Sequence, residues 1–488
     1  MILSVTIEID NKKLDSFSEL EEFGTNTGHR LGQAIIQAGL ELKDRQIMAS
    51  RDTRRFRDKG LRSTCIKTKC GTVEYHRRVY VDNDAQADEK KTVYLLDEIM
   101  DISAIGKVSS NLCKLTASCV CESTYRGASR QITELTGQDI SAQGVWNIVQ
   151  KLGRTEQERT EKNAKLAKNS QGTGEIKTEL LYEENDGIFL HLQGKSRARY
   201  GRSKEMKVGI AYDGVLWKVN KEGKKRRILN SKIAYAGFKS AREFRKNKEG
   251  LIASRYDVDE IKLRVMNGDG ANWIQKHKKK NTINVLDVFH RNKQIRECVK
   301  DPKKSKLIRE ALYEMDTDEF LEYLQIVIDT VIDDNERNDI QELYDYYEKN
   351  RGSMSGYYER GIEIPPTREP GVLHHARLGS MESNVFTLIG NRMKDRRMCW
   401  SIEGANNLAS ILCAYHTIGM ETLFAQLPKE PEAIEEWIDE VEPLKAWDNP
   451  LSVGLGYEYP KGVSTQESPY WLRDIAKIGG IEVLKIIN

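Results

Sequence analysis

The sequence predicts an α/β protein, a mixed sheet core carrying a helical insertion and preceded by a mainly helical region with one small β-hairpin. Three observations carry this prediction. Short strand-like runs crowd residues 177–219, strand and helix patterns alternate from 262 to 292, and a long charged helical stretch at 293–350 precedes the apolar helices of 380–416. Strands first, then alternation, is the order of an α/β sheet.

Composition narrows the class. The 488 residues would fill roughly three domains at about 150 residues each. Lys and Arg number 77 against 74 Asp and Glu, a net charge of +3; 39% of residues are hydrophobic and 31% charged. That balance excludes wholesale disorder. No apolar run approaches the roughly 18 residues of a membrane span. Residues 1–10 alternate like a strand and lack a basic leader, so neither export nor membrane association is expected. Eight cysteines without paired CxxC spacing suit a reduced, cytoplasmic setting. Cys65, Cys70, Cys119 and Cys121 are read as ordinary small residues rather than zinc ligands.

The elements follow in order. After the first strand, Leu31, Ala34, Ile35, Ala38 and Leu42 recur at helical spacing. Runs at 63–68 and 72–81 form a hairpin around Lys69-Cys70-Gly71, and 82–91 is a polar loop. A helix over 125–135 turns Ala128, Ile132 and Leu135 inward; Thr136-Gly137-Gln138-Asp139 then makes a turn, and Ser141 can cap a second helix carrying Val145, Ile148 and Val149. This is a helix-turn-helix layout, whose second helix would present Gln143, Asn147, Gln150 and Lys151 to a DNA groove. The same layout also occurs inside protein cores. A charged helical linker at 151–168 and a break at 170–174 place a boundary near residue 170. The expected organisation is thus 1–108, 109–170, a core over 171–425 with its insertion at 293–370, and an acidic C-terminal region over 426–488.

Beyond the boundary the pattern turns to strands. Runs at 177–184 and 188–193 are separated by Asn185-Asp186-Gly187, a hairpin turn signal. Further runs at 207–212 and 216–219 flank Asp213-Gly214. A strand at 262–266 ends in Asn267-Gly268-Asp269-Gly270, with a helix from Ala271, and one at 282–286 ends in Asp287-Val288-Phe289-His290.

Charge is distributed unevenly. Between 195 and 227 there are twelve Lys and Arg against Glu205, Asp213 and Glu222. Basic runs at 276–280 and 392–397 lie beside Trp273 and Trp400, while acid gathers at 316–348 and 430–448. Basic runs beside aromatic residues suit a polyanion, although any single run also reads as a solvated face.

Three carboxylates sit where a metal site would want them. Asp186 closes the first strand, and Asp269 stands between glycines at the carboxyl end of a later strand, where ligands bind in open α/β sheets. Glu382 begins a helix; with Val385 and Ile389 three and seven residues on, it shares the core-facing stripe. Singly, each has a plain role as turn residue, helix cap or first-turn acid. As an ordered set of strand, strand and helix they suit a two-metal phosphoryl-transfer site, whose hard oxygen ligands select Mg²⁺ or Mn²⁺.

Leu181-Tyr182-Glu183-Glu184-Asn185-Asp186-Gly187, Asn267-Gly268-Asp269-Gly270-Ala271-Asn272-Trp273-Ile274, Leu286-Asp287-Val288-Phe289-His290 and Met381-Glu382-Ser383-Asn384-Val385 come in an order that resembles the ISLre-type bacterial insertion-sequence transposases, distant relatives of the Mutator-like group. Tyr125-Arg126-Gly127-Ala128-Ser129 and the stretch from Asn391 to Ser401 fit as well, so the resemblance covers about residues 15–425. It implies an RNase H-like core with the catalytic triad Asp186, Asp269 and Glu382, and an Asp-x-x-His element in Asp287 and His290. Glu183 and Glu184 are close enough to rival Asp186 as first ligand.

The resemblance further implies two Mg²⁺ or Mn²⁺ ions, cleavage of DNA at element ends and transfer of the freed 3′-hydroxyl to target DNA. It implies double-stranded DNA as partner, a homo-oligomer holding two ends, and a nucleoid-associated place in the cytoplasm. Phosphate contacts would come from the 195–227 segment and from Arg392, Lys394, Arg396 and Arg397. His290 would stand beside the scissile phosphate or form a buried pair with Asp287. Two other readings remain open at this point: an RNase H-like nuclease without strand transfer, and a DNA-binding regulator with an inert core.

Overall fold

The N-terminal helix α1 (Phe17–Ser50) starts where the Ser16 hydroxyl accepts from the Glu19 amide at 3.4 Å. It packs on a long antiparallel hairpin, β1 (Phe56–Thr68) and β2 (Gly71–Asp82), which β3 (Thr92–Val93) extends before the short α2 (Leu95–Ile99). The hairpin turns where the sequence places it. Gly71, at φ +104°, supplies a conformation that residues with a Cβ rarely adopt. Leu40, Ile47, Ile66, Val73, Tyr75, Tyr80, Leu95 and Leu96 form a core of its own. Of the residues that recur at helical spacing, Ala34 and Ile35 are exposed.

The computed structural model describes residues 7, 9, 16–85, 92–100, 102, 107–169, 174–275, 281–367, 369–375 and 378–427. These lie in the first of two compact units, Met1–Asp439; the second, Glu440–Asn488, lies outside the described residues. The expected opening strand falls almost wholly outside them, as do the basic run at 276–280 and the acidic region from 428 onward.

Three helices follow, α3 (Ser110–Glu122), α4 (Tyr125–Thr136) and α5 (Ala142–Lys168). Gly137 ends α4 at φ +62°, and Ser141 caps α5 by accepting from Gly144 at 3.0 Å, so the helix–turn–helix spacing is real. Leu135, however, points outward. The second helix and the charged linker form one continuous 27-residue helix.

The sheet is built from β4 (Leu180–Leu192), then, after α6 (Gly194–Tyr200), β5 (Ser203–Tyr212), a side hairpin of β6 (Val215–Val219) and β7 (Lys225–Leu229), and β8 (Ile233–Gly237). Helix α7 (Ala241–Arg255) leads to β9 (Leu263–Gly268), the one-turn α8 (Asn272–Gln275) and β10 (Thr282–Leu286). The strand order is β10-β9-β4-β5-β8. β10, β9 and β4 run parallel, and β5 is antiparallel to both β4 and β8. The result is a mixed sheet with its first strand inside.

One local expectation is overturned here. Asn185-Asp186-Gly187 does not turn; β4 continues straight through it. Across the tripeptide, β5 pairs Asn185 with Gly209, Asp186 with Val208 and Gly187 with Lys207. Those ladder bonds outweigh the local turn preference.

Between β10 and the next core helix lies the helical insertion, α9 (Val288–Cys298), α10 (Pro302–Glu314), α11 (Thr317–Thr330), α12 (Asp334–Lys349) and α13 (Arg351–Met354). Ile295, Ile308, Phe320, Leu324, Ile340, Leu343 and Tyr347 give it a separate apolar core. The chain then returns as α14 (Met381–Val385), a π-helical turn over Phe386–Gly390 and α15 (Asn391–Met393). The helical stretch expected over 380–416 is interrupted by β11 (Cys399–Trp400), which pairs with the far end of β4, before α16 (Ile402–Tyr415) and α17 (Gly419–Ala425).

The main core runs across the expected boundary near residue 170. Leu112, Val145, Ile148, Val149 and Leu152 belong to the same apolar cluster as Tyr182, Val208, Ile210, Val265, Leu408 and Leu412. Helix α5 crosses α16 so closely that a Cβ on Gly153 would lie 2.3 Å from the Asn407 carbonyl oxygen. The three helices therefore share the core of the sheet. No single described helix is long and apolar enough to cross a membrane. All eight cysteines are free thiols.

Candidate metal centre

The parallel pairing of β4 with β9 stops at Glu184 opposite Asn267. Asp186, two residues further along β4, and Asp269, just past the end of β9, therefore stand together at one edge of the sheet. Gly270 follows at φ +86°, and a Cβ there would lie 2.7 Å from Asn350 Oδ1, so glycine lets the insertion close over this loop. The Asp269 carboxylate accepts from the Ala271 amide at 2.8 Å, and its backbone carbonyl accepts from the Tyr346 hydroxyl at 3.0 Å.

His290 completes the group from the first turn of α9. Asp287 caps that helix, accepting from the His290 amide at 3.1 Å, and its Oδ2 lies 3.0 Å from the His290 Nδ1. The other ring nitrogen, Nε2, is 3.9 Å from Asp186 Oδ1. Asp186, Asp269 and His290 each offer a ligand atom, and these atoms all lie within 4.8 Å of one another. Two carboxylate oxygens and an imidazole nitrogen at this spacing form a donor set for a divalent cation.

Electrostatics agree with the geometry. Burial pushes the Asp186 carboxyl up to about 6; His290 opposes this, while Asp269 and Asp287 add to it. Burial alone would lower the His290 imidazole, but the Asp287 hydrogen bond and the Asp186, Asp287 and Asp269 carboxylates raise it above its ordinary value. Asp287, despite burial, is held below the usual carboxylate range by His290 and Asn267. A cation between the carboxylates would relieve their mutual repulsion.

Glu382 departs from expectation. It is exposed, while Met381, Asn384 and Val385 take the buried positions of α14. The buried stripe runs through Met381, Asn384, Val385, Leu388 and Ile389, the i, i+3, i+4, i+7, i+8 spacing counted from Met381, so Glu382, one residue on, falls outside it. Glu382 lies outside the three-residue cluster yet lines the same open cleft as Asp186, Asp269 and His290. Lys293, Lys349 and Lys394, from three different segments, line that cleft too.

Neither rival carboxylate stands in for Asp186. Glu183 points to the opposite face of β4, where Lys248 at 2.7 Å and Arg264 at 2.9 Å pair with it. Glu184 shares the Asp186 face but is fully buried, and four donors satisfy it: the Tyr212 hydroxyl at 2.6 Å, Asn267 Nδ2 at 3.0 Å and the amides of Gly379 and Ser380 at 3.1 and 3.0 Å. Asn267 Nδ2 also donates to Asp287 Oδ1 at 2.8 Å. One buried network thus links β4, β5, β9, the start of the Glu382 helix and the Asp287–His290 pair. Neither Asn267 nor the place of His290 among the atoms that could hold a cation is evident from the sequence; the Asp-x-x-His spacing is the one signal for the latter.

The residues expected to face DNA divide in two. Gln150 and Lys151 are buried, because α5 is flanked by α7 and α16; Gln150 Oε1 accepts from Asn407 at 2.8 Å. Arg392 is buried as well. It donates to the Val120 carbonyl at 2.6 Å and lies over the Tyr125 and Trp400 rings, an internal strut and not a phosphate contact. Gln143 is exposed and donates to the half-buried Asn147 at 2.9 Å. Lys394, Arg396 and Arg397 are exposed, with Arg396 donating to the Glu122 carbonyl at 3.0 Å.

Fold and cluster together define a mixed α/β protein with a carboxylate–imidazole site at the edge of its sheet. The chain belongs to the uncharacterised protein family UPF0236, whose model matches residues 11–423. It is similar to a Streptococcus gallolyticus protein named "UPF0236 protein in vanSb 3'region", with 24% identity over 243 residues, 45% of this chain and 49% of the relative. The match spans about half the length of that relative.

Proposed function

We propose that the chain is a metal-dependent DNA transposase of the DDE kind, with an RNase H-like core. The observation that carries this reading is the convergence of Asp186, Asp269 and His290 within 4.8 Å, with Glu382 on the same cleft. The sheet supports it: the first strand is central, antiparallel to the second and parallel to β9, and adjacent strands supply the two aspartates.

Asp186, Asp269 and His290 would hold Mg²⁺ or Mn²⁺, the latter tolerating the nitrogen ligand more readily. Bound there, the cation would supply Lewis-acid polarisation of a phosphodiester and activation of its nucleophile. Asp287 keeps the proton on His290 Nδ1 and leaves Nε2 facing the cleft. Glu382 is the residue on which a second ion would draw. Lys293, Lys349 and Lys394 would attract the phosphate backbone to an otherwise acidic floor. In this reading no covalent protein–DNA intermediate forms, so no serine or tyrosine nucleophile is required. Double-stranded DNA is the partner, and holding two ends calls for a homo-oligomer.

A strand-transfer assay tests the reading. The full chain, Mn²⁺ and a duplex with a labelled 3′-hydroxyl end, taken from the DNA flanking the gene, should yield a joined product. Asp269→Asn should reduce joining by at least about a hundredfold, the scale of losing positioned charge stabilisation. Cleavage without joining would make the protein a nuclease, and joining that survives Asp269→Asn would remove the centre from the reaction.

A further inference from the structure

The β6–β7 hairpin belongs neither to the main sheet nor to the metal centre. It is a separate two-stranded antiparallel ribbon with paired positions Val215–Leu229, Leu216–Ile228, Trp217–Arg227, Lys218–Arg226 and Val219–Lys225. Its root is fixed: Val215 exchanges backbone hydrogen bonds with Leu373 at 2.8 and 2.9 Å. Two positions further out, Arg227 donates to the Ser380 hydroxyl at 3.4 Å, and Ser380 directly precedes the helix that bears Glu382. The register carries the tip, residues 220–224, outward beyond that contact.

What the ribbon displays is unusual for a protein face left to water. Residues 215–229 hold six cations and one carboxylate, Glu222, which pairs with Lys224 at 3.3 Å. Lys218, Lys221, Lys225 and Arg226 are exposed. So are two apolar side chains, Trp217 at 54% and Val219 at 62%. Cross-strand neighbours set Trp217 beside Arg227 and Val219 beside Lys225, so apolar and cationic groups alternate over one face, while Lys218 and Arg226 share the other. Like charges directly opposite one another are destabilising in isolation. Their presence on an exposed ribbon is accounted for by an anionic partner.

We infer that the β6–β7 ribbon is a duplex-DNA docking element that carries the bound DNA onto the Glu382 side of the metal centre. A two-stranded ribbon fits the width of the major groove of B-DNA. Lys218, Lys221, Lys225 and Arg226 would meet phosphates, and Trp217 and Val219 would contact the groove surface. The inference takes its partner, DNA, from the proposed function, and it narrows the phosphate contacts expected of the whole 195–227 segment to one ribbon with a defined place beside the Glu382 helix.

The experiment measures binding of a fluorescein-labelled duplex to the full chain by anisotropy, across a salt series. Four proteins are compared: the parent, the triple variant Lys218→Ala/Lys225→Ala/Arg226→Ala, Trp217→Ala, and a control triple, Lys300→Ala/Lys303→Ala/Lys306→Ala, with the same charge change on the insertion. The ribbon triple should weaken binding at least about tenfold and flatten the slope of log affinity against log salt by about 2 to 3, near 0.9 per lost phosphate contact. Trp217→Ala should weaken binding with the parent's slope. The control triple should bind within about twofold of the parent. Unchanged melting and Mn²⁺ affinity in the ribbon triple would place the loss at the ribbon and not in the fold or the metal site. Equal affinity and slope for the parent and the ribbon triple would overturn this inference and leave the metal-centre reading standing. An equal loss in the control triple would overturn it as a general charge effect. A parent that binds no duplex would overturn both.

Discussion

Asp287 grips His290 twice, accepting from its backbone amide at 3.1 Å and standing 3.0 Å from its ring Nδ1. One carboxylate thereby caps a helix and holds the imidazole with its Nε2 3.9 Å from Asp186 Oδ1. Asp287→Asn keeps the cap but weakens the hold on the imidazole. It should lower Mn²⁺ affinity by about 10- to 100-fold, the usual cost of losing an oriented outer partner of a metal ligand. Isothermal titration calorimetry checks this, and parent-like affinity would count against the role given to Asp287.

Asp186 is a half-buried carboxylate whose ionised form is disfavoured, first by desolvation and then by Asp269 and Asp287. At neutral pH, without added cation, it costs the fold stability. Asp186→Asn should therefore raise stability by about 1–3 kcal/mol while removing Mn²⁺ binding. A melting temperature that falls in metal-free buffer would show that the carboxylate is held by favourable contacts instead.

Arg392 and Lys394 are two residues apart and should behave as opposites. Arg392→Ala removes a buried strut and leaves the Val120 carbonyl without its donor, at a cost of about 3 kcal/mol. Lys394→Ala, exposed on the cleft, should leave melting within about 0.5 kcal/mol of the parent and weaken duplex binding. Denaturant melts and anisotropy on the same two proteins separate the roles.

The crossing of α5 over α16 depends on Gly153, whose missing Cβ would lie 2.3 Å from the Asn407 carbonyl oxygen. Gly153→Ala improves helix propensity but forces the helices apart. The net effect should be a loss of about 1–3 kcal/mol, read from a denaturant melt. A stabilised variant would mean that the two helices do not pack through this position.

How far the sequence carried the fold depended on how local each determinant was. The hairpin around Lys69-Cys70-Gly71, the Ser141 cap and the strand over 282–286 are set by neighbours in sequence, and all three stand where the residues place them. Asn185-Asp186-Gly187 has strong local turn chemistry, yet β5 pairs straight across it. Gln150 and Lys151 lie on a helix face that looks free until α16, some 250 residues later, covers it. The site was legible as a list of residues, Asp186, Asp269, Asp287, His290 and Glu382, but not as a geometry. His290 comes closer to the two aspartates than Glu382 does, because the Asp287 cap turns its ring toward β4, and no periodicity in the sequence encodes that.

Whether Asp186, Asp269 and His290 together hold a divalent cation is read from pulsed electron paramagnetic resonance on the Mn²⁺-loaded chain. Stoichiometric Mn²⁺ should bind, with a signal that carries coupling to an imidazole nitrogen. That coupling should vanish in His290→Gln, and bound Mn²⁺ should be lost in both Asp186→Asn and Asp269→Asn. Mn²⁺ that binds without nitrogen coupling, or that binds both aspartate variants as tightly as the parent, would contradict a site shared by the three residues.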